Sequence, residues 1–349
     1  MSAHPSLNYP RRVGLAQLPT PLQRLRYHPF QNPQAPRIWV KRDDLTGSVL
    51  SGNKVRKLEF VAAAAQDAQC DVLITTGGVQ SNHCRATALV GAQLGMAVHL
   101  ILRGDEPNQL DGNLLLGELS GASVSYYPKP GFARQLDERF AYWQAHFEAR
   151  GRTVMCIPTG ASNGVGLWGY IAASEELLIN FKVEGIRPSH IVTATGSGGT
   201  QAGLTCGMAL FKPSMKVWGV NVCDDEAWFQ AKVREDVKDW QQRYPEVEGP
   251  PELSVNIIDG YVGQGYGRAS SEVFDTIVAV AQSDGLVLDP VYTGKAFHGM
   301  CKEIEAGRFD GAADIVFVHT GGVFGLFAQR ESLARHLRPA SIQDGGEGL

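Results

Sequence analysis

Between Ile38 and His319 the chain repeats one pattern: a short run of β-branched and apolar residues, a turn often marked by glycine, then a longer stretch of helical periodicity. Strands are expected at 38–41, 72–76, 98–102, 123–127, 154–158, 191–195, 217–222, 255–258 and 315–319. Helices are expected at 86–94, 132–149, 167–181, 201–211, 226–240, 271–281 and 297–305. Alternation of this kind builds parallel sheets covered by helices on both faces. A chain of 349 residues is long for one such core, since a domain takes about 100–200 residues. The expected fold is therefore α/β, with two three-layer α/β/α domains and mainly parallel sheets. Residues 1–53 plus 166–349 would form the larger domain and 54–165 the smaller, with the ligand in the cleft between them. Residues 1–35, rich in proline, read as an irregular arm, and 341–349 as a loose tail.

Composition narrows the function classes. A hydrophobic content of 44%, a charged content of 19% and a net charge of −4 describe an ordinary soluble protein. They give no basic surface for nucleic acid or anionic membrane. No apolar run is long enough to span a membrane, and the first residues lack a signal pattern, so a cytoplasmic setting is expected. The cysteines (70, 84, 156, 206, 223 and 301) are dispersed without a CxxC pair, and the histidines form no HExxH cluster. Neither a disulfide framework nor a metal site is expected.

Chemistry gathers at the strand ends. Ser51-Gly52-Asn53-Lys54 stands at the start of a helical pattern. There the unpaired N–H groups favour anions and disfavour an ammonium, so Lys54 tends toward the neutral amine that condenses with an aldehyde. A solvated lysine is the alternative from these residues alone. Thr195-Gly196-Ser197-Gly198-Gly199-Thr200 lies at another strand-to-helix junction and reads as a phosphate cradle or a plain tight turn. Gln201 stands where a dinucleotide fingerprint needs its third glycine, and no Gly-Lys-Ser/Thr ending makes it a P-loop. Gly77-Gly78 leads into Gln80-Ser81-Asn82-His83, either helix caps or a seat for a substrate carboxylate. His83 is as readily structural as catalytic. Asp289-Pro290-Val291-Tyr292-Thr293-Gly294-Lys295, after an apolar run read as a strand, offers Tyr292 as a proton carrier or a packing residue. Lys295 reads as solvated. His319-Thr320-Gly321-Gly322 ends the last strand. An amine, an anion cradle without nucleotide fingerprints and several polar loops together point to pyridoxal 5'-phosphate.

Ser51-Gly52-Asn53-Lys54-x-Arg56-Lys57-Leu58-Glu59, Gln80-Ser81-Asn82-His83, the Thr195–Gly203 loop and Asp289-Pro290-Val291-Tyr292-Thr293-Gly294-Lys295 occur in this order. They resemble the D-cysteine desulfhydrase and 1-aminocyclopropane-1-carboxylate (ACC) deaminase family, across about residues 15–330. That family consists of tryptophan-synthase-β-like, fold type II pyridoxal-phosphate enzymes. The resemblance implies that Lys54 binds the cofactor's aldehyde and that Lys57, Thr195, Gly196, Ser197, Gly198, Gly199 and Thr200 surround its phosphate. It implies that Asn82 contacts the ring's phenolic oxygen and that Thr293 faces the ring nitrogen. Gln80, Ser81, Asn82, His83, Tyr266 and Tyr292 would line the substrate side, with Lys54, Ser81, Tyr292 and Tyr266 catalytic. Around Tyr266 this chain departs from the pattern, because Arg268-Ala269 follows Gly265-Tyr266-Gly267 where the family continues Val-Pro.

Ring-opening deaminases resemble this chain but carry glutamate where it has Thr293, and glutamine at His83. A carboxylate there would favour a protonated ring and a strong electron sink, whereas threonine suits the briefer charge of β-elimination. The expectation is D-cysteine converted to pyruvate, hydrogen sulfide and ammonia by a homodimer. ACC deaminase, L-cysteate sulfo-lyase and a non-catalytic pyridoxal-phosphate-binding protein are the alternatives.

Overall fold

The computed structural model describes residues 7–250 and 252–337, so the expected loose tail lies outside the described residues. The chain opens with β1 (Leu22–Arg24) and β2 (Arg37–Lys41). β1 falls within the stretch read as an irregular arm. It is an antiparallel edge strand whose three residues, one of them buried, are too few to show a period. Next come α1 (Asn53–Asp67), β3 (Val72–Gly78), α2 (Asn82–Leu94), β4 (Ala97–Arg103), α3 (Gly112–Leu119), β5 (Ser123–Tyr127), α4 (Leu136–Glu148) and β6 (Val154–Ile157). Their strands pair in parallel in the order β5-β4-β3-β6.

The long helix α5 (Gly164–Val183) then returns the chain to the first sheet. That sheet is completed by β7 (His190–Thr195), α6 (Gly199–Phe211), β8 (Lys216–Asn221), α7 (Glu226–Arg243), β9 (Asn256–Ile258), α8 (Ser271–Asp284), α9 (Thr293–Glu305) and β10 (Asp314–Val318). Its order is β1-β2-β10-β7-β8-β9, parallel everywhere except at the β1–β2 edge. Two short helices follow, α10 (Val323–Phe327) and α11 (Arg330–Ala334). The apolar run before Asp289 is not a strand. Leu286 and Leu288 are buried, but they pack among the α8 and α9 side chains instead of joining a sheet edge.

Both sheets are covered on two faces, which is why their strands read as unbroken apolar runs. All five residues of β10 are buried. Ile277, Phe297 and Met300 pack on one face of the larger sheet, and Leu177, Leu204 and Met208 on the other. The smaller sheet lies between a cluster containing Val55, Leu58 and Ala88 and a second in which Phe140, Trp143 and Phe147 meet Val72, Ile74 and Ile101. Helix α1 seats directly on α5: a Cβ at Gly169 would come within 2.5 Å of the Arg56 carbonyl oxygen. The glycine loops thus gather at the carboxyl ends of parallel strands, where open α/β sheets hold ligands.

Candidate active site

Lys54 is the second residue of α1. The helix start is tied to the loop after β10, since the Asn53 N–H donates to the Thr320 carbonyl at 3.0 Å. Asn53 Nδ2 also donates to Thr200 Oγ1 at 2.8 Å, joining the lysine helix to the glycine-rich loop at the start of α6. Burial pulls the Lys54 ammonium down to about 8, although contact with Lys57 works the other way. Lys57 is held well below the usual lysine range by burial and then by the charge of Lys54. Two amines side by side in a desolvated pocket are poised for an anion.

The phosphate-cradle residues are brought to these amines by a loop that sequence reading passed over. Gly160, between β6 and α5, has φ +67; a Cβ there would lie 2.3 Å from Ser197 Oγ and 3.0 Å from Lys54 Nζ. Ser162 Oγ donates to Ser197 Oγ at 2.9 Å, accepts the Gly199 N–H at 3.1 Å and receives Lys57 Nζ at 3.4 Å. A signal existed in Gly160-Ala161-Ser162-Asn163, a strand-end glycine followed by a cap, since Asn163 Oδ1 caps α5 through the Gly166 N–H.

The Gln80–His83 loop divides its work. Ser81 caps α2, its Oγ accepting the Cys84 N–H at 3.2 Å. Asn82 has a buried Oδ1 without a partner. The Gln80 amide donates to the Asp111 carbonyl and accepts from the Asn113 N–H, holding the start of α3. His83 is buried, with Nε2 2.8 Å from Thr75 Oγ1. Because Thr75 spends its hydroxyl proton on the Ile157 carbonyl, Nε2 must be the donor and Nδ1 an unprotonated, unpartnered acceptor. Burial and the charges of Lys54 and Lys57 keep this imidazole neutral.

Across the cleft, the Tyr266 and Tyr292 hydroxyls share a short hydrogen bond. Their rings meet edge to face, so Tyr266 reaches the site despite the altered residues after it. A Cβ at Gly196 would lie 3.0 Å from the Tyr292 ring, and one at Gly78 3.5 Å from the Tyr266 ring. The pair therefore bridges the ends of β7 and β3. Burial, and then Tyr266, hold Tyr292 protonated far above the usual tyrosine range.

Lys295 is not solvated as expected. It is buried, and its ammonium donates to the Val262 and Gly265 carbonyls at 2.6 and 2.9 Å, clamping the turn that carries Tyr266. Thr293 is fully buried; its hydroxyl donates to Asp289 Oδ1 and accepts the Asp289 N–H, both at 2.7 Å.

Buried polar atoms without partners are rare and mark where a ligand completes a site. Asn82 Oδ1, His83 Nδ1 and Thr195 Oγ1 are of this kind here. With a lysine of lowered pKa and the Ser162–Ser197–Gly199 cradle, they fit pyridoxal phosphate.

The family model described as pyridoxal-phosphate-dependent enzyme matches residues 13–321. This chain belongs to that family. A bifunctional D-cysteine desulfhydrase/1-aminocyclopropane-1-carboxylate deaminase, mitochondrial, of Arabidopsis thaliana is 38% identical over 346 residues, 96% of this chain and 84% of the relative. A D-cysteine desulfhydrase of Klebsiella pneumoniae is 38% identical over 92% of this chain and 97% of its own length. Among solved structures, an ACC deaminase homologue superposes with a TM-score of 0.81 at 34% identity, covering 94% of this chain and 96% of its own. An O-ureido-L-serine synthase at 15% identity, with a TM-score of 0.64, shares the fold. The two α/β units and the cofactor expected from sequence are those of this pyridoxal-phosphate family. Among the described residues no helix is long and apolar enough to cross a membrane.

Proposed function

We propose that this pyridoxal-phosphate-dependent lyase removes a β-substituent from a small amino acid, with D-cysteine giving pyruvate, hydrogen sulfide and ammonia. The carrying observation is the buried Lys54 amine, lowered to about 8, set beside Gly160 and Ser197 and close enough for its charge to act on His83 of α2. The relative named D-cysteine desulfhydrase supports the substrate. Thr293, a neutral hydroxyl where ring-opening deaminases resemble one another in carrying glutamate, favours elimination.

In this reading Lys54 holds the cofactor's aldehyde, and Lys57, Thr195, Gly196, Ser197, Gly198, Gly199 and Thr200 hold its phosphate. Asn82 meets the ring's phenolic oxygen and Thr293 stands by the ring nitrogen. The bound cofactor supplies an electron sink for the substrate's α-carbon. Lys54 and Ser81 sit on the side where the α-proton is removed, and His83 backs them as a neutral imidazole. The protonated Tyr292–Tyr266 pair is suited to giving a proton to the departing group. We also assign residues 1–53 with 166–349 and residues 54–165 to two domains flanking the cleft, in a cytoplasmic homodimer, as the strand orders and the family resemblance suggest.

Purified enzyme offered D-cysteine, L-cysteine, L-cysteate, 3-chloro-D-alanine and ACC is expected to turn over D-cysteine with the highest kcat/KM, releasing sulfide with pyruvate. The ACC reading draws on the solved homologue. It wins if ACC gives 2-oxobutyrate and cysteine gives no sulfide. Cofactor loading offers an independent check. The free-amine fraction of a lysine near 8 rises about fivefold from pH 7 to pH 8 and little above about pH 9. Apoprotein should therefore gain the visible absorbance of bound cofactor with that pH profile. A rate still climbing steeply toward about pH 10 would indicate an ordinary, solvated lysine.

A further inference from the structure

The cleft wall does not end at the two tyrosines. Arg103, the last residue of β4, stands with its guanidinium carbon 5.3 Å from the centroid of the Tyr266 ring. It is register partner to Gly78, on which the same ring rests. The arginine therefore reaches from the smaller sheet to a turn of the larger one. Its charge extends further, acting on the Cys223 thiol beyond β8, whose sulfur lies 3.3 Å from the Gly196 carbonyl oxygen. The order along the wall is thus Gly196, Tyr292, Tyr266, Arg103, running outward from the cradle.

What matters for Arg103 is where its free donors stand: Arg85 also lies on an aromatic ring without a carboxylate, but Arg103 does so against the Tyr266–Tyr292 pair. Arg37, Arg56 and Arg308 each pair with a carboxylate, whereas among the described residues the Arg103 guanidinium has no ion pair or side-chain hydrogen bond, only the face of Tyr266 and the more distant Cys223. An aromatic face holds a guanidinium in place without consuming its in-plane donors. That fork of N–H groups suits a planar or tetrahedral oxyanion.

We propose that Arg103 is the specificity-determining residue that receives an anionic β-substituent, so that the preferred substrates are small amino acids whose leaving group carries negative charge, a sulfonate or a thiolate. This rests on the elimination reading. In that reaction the Cα–H proton passes to Lys54 or Ser81, and its electrons form the Cα–Cβ double bond. The Cβ–S bond breaks with both electrons on sulfur: a sulfonate departs as sulfite, and a thiolate takes a proton from the Tyr292–Tyr266 pair and departs as hydrosulfide. Negative charge therefore gathers on the leaving group, next to the tyrosines, and Arg103 faces it from the outer end of the wall.

The test compares wild-type holoenzyme with Arg103→Met and Arg103→Lys, using cysteate and 3-chloroalanine of either hand. The ratio of kcat/KM for cysteate to that for 3-chloroalanine is expected to fall about 30-fold in Arg103→Met, the size of one charge-assisted contact. Arg103→Lys should recover part of it. Titrations of the cofactor absorbance with aspartate and asparagine read binding without turnover. Wild type should prefer aspartate, and Arg103→Met should lose that preference. A ratio unchanged within about twofold, or equal weakening of aspartate and asparagine, overturns the proposal. If wild type turns over neither substrate and releases no sulfide from D-cysteine, the elimination reading fails, and the aspartate–asparagine preference alone decides Arg103.

Discussion

Replacing Lys54 by alanine is expected to lower turnover by about 10⁴-fold, the combined loss of a nucleophilic amine and a positioned proton carrier. Retention of the fold is equally part of the prediction. Burial disfavours the Lys54 ammonium, so its removal takes away an uncomfortable charge, and the thermal midpoint of the apoprotein should not fall. The cofactor should still associate weakly through the Ser162–Ser197–Gly199 cradle. It should no longer be fixed to the chain by borohydride, and added methylamine should restore part of the turnover. Lys57 is the natural control, because it touches the same site and is also held well below the usual lysine range by burial and by the charge of Lys54. Borohydride labelling of Lys57 in the wild-type protein, with Lys54 left free, would reassign the reactive amine and sink the present reading.

Much of this was legible in sequence because strand ends announce themselves. Runs such as 72–76, 191–195 and 315–319 are covered on both faces and so carry an unbroken apolar signal. The glycines and cap residues after them mark the ligand loops. Asn82 and Ser197 stand out in this way, whereas Lys54 is marked by its own helix start and Tyr292 follows an apolar run that is no strand; the structure brings the loops of Lys54, Ser197 and Tyr292 together. What escaped depends on contacts distant in the chain. Ser162 acquires meaning only from Ser197, Gly199 and Lys57. Lys295 looks like any helix lysine until two carbonyls of the Tyr266 turn close on it. Gln80 reads as a site residue but is taken by the start of α3, a helix of eight residues too short to show its period. Arg103 ends a strand with nothing in its neighbours to distinguish it.

Arg56, two residues beyond Lys54, yields the largest expected effect on stability. Its guanidinium donates to both Asp43 oxygens at 2.9 and 2.8 Å, to both Glu176 oxygens at 2.9 Å and to Thr20 Oγ1 at 2.9 Å. Asp43 is fully buried and also accepts the Tyr170 hydroxyl at 2.6 Å. Burial alone would raise the Asp43 pKa, but Arg56 and Lys41 outweigh it and hold the carboxyl below its ordinary value. Arg56→Met removes the cation and leaves the anion, which costs about 3–5 kcal/mol for a buried pair. For a chain of this size that lowers the thermal midpoint by about 5 °C. The sign of the pH dependence separates charge from packing. A carboxylate with a lowered folded pKa stabilises above its unfolded pKa, and that stability is lost as pH falls through the folded value. Without Arg56 the Asp43 pKa rises, so the variant's deficit should be greatest near neutrality and shrink toward about pH 4, where a protonated Asp43 needs no partner. A deficit that stays constant with pH would mean that Arg56 acts through its bulk alone. Because the same helix seats on Gly169 of α5 and presents Lys54 to the cleft, loss of this network should also make the enzyme lose its cofactor at a lower temperature than wild type.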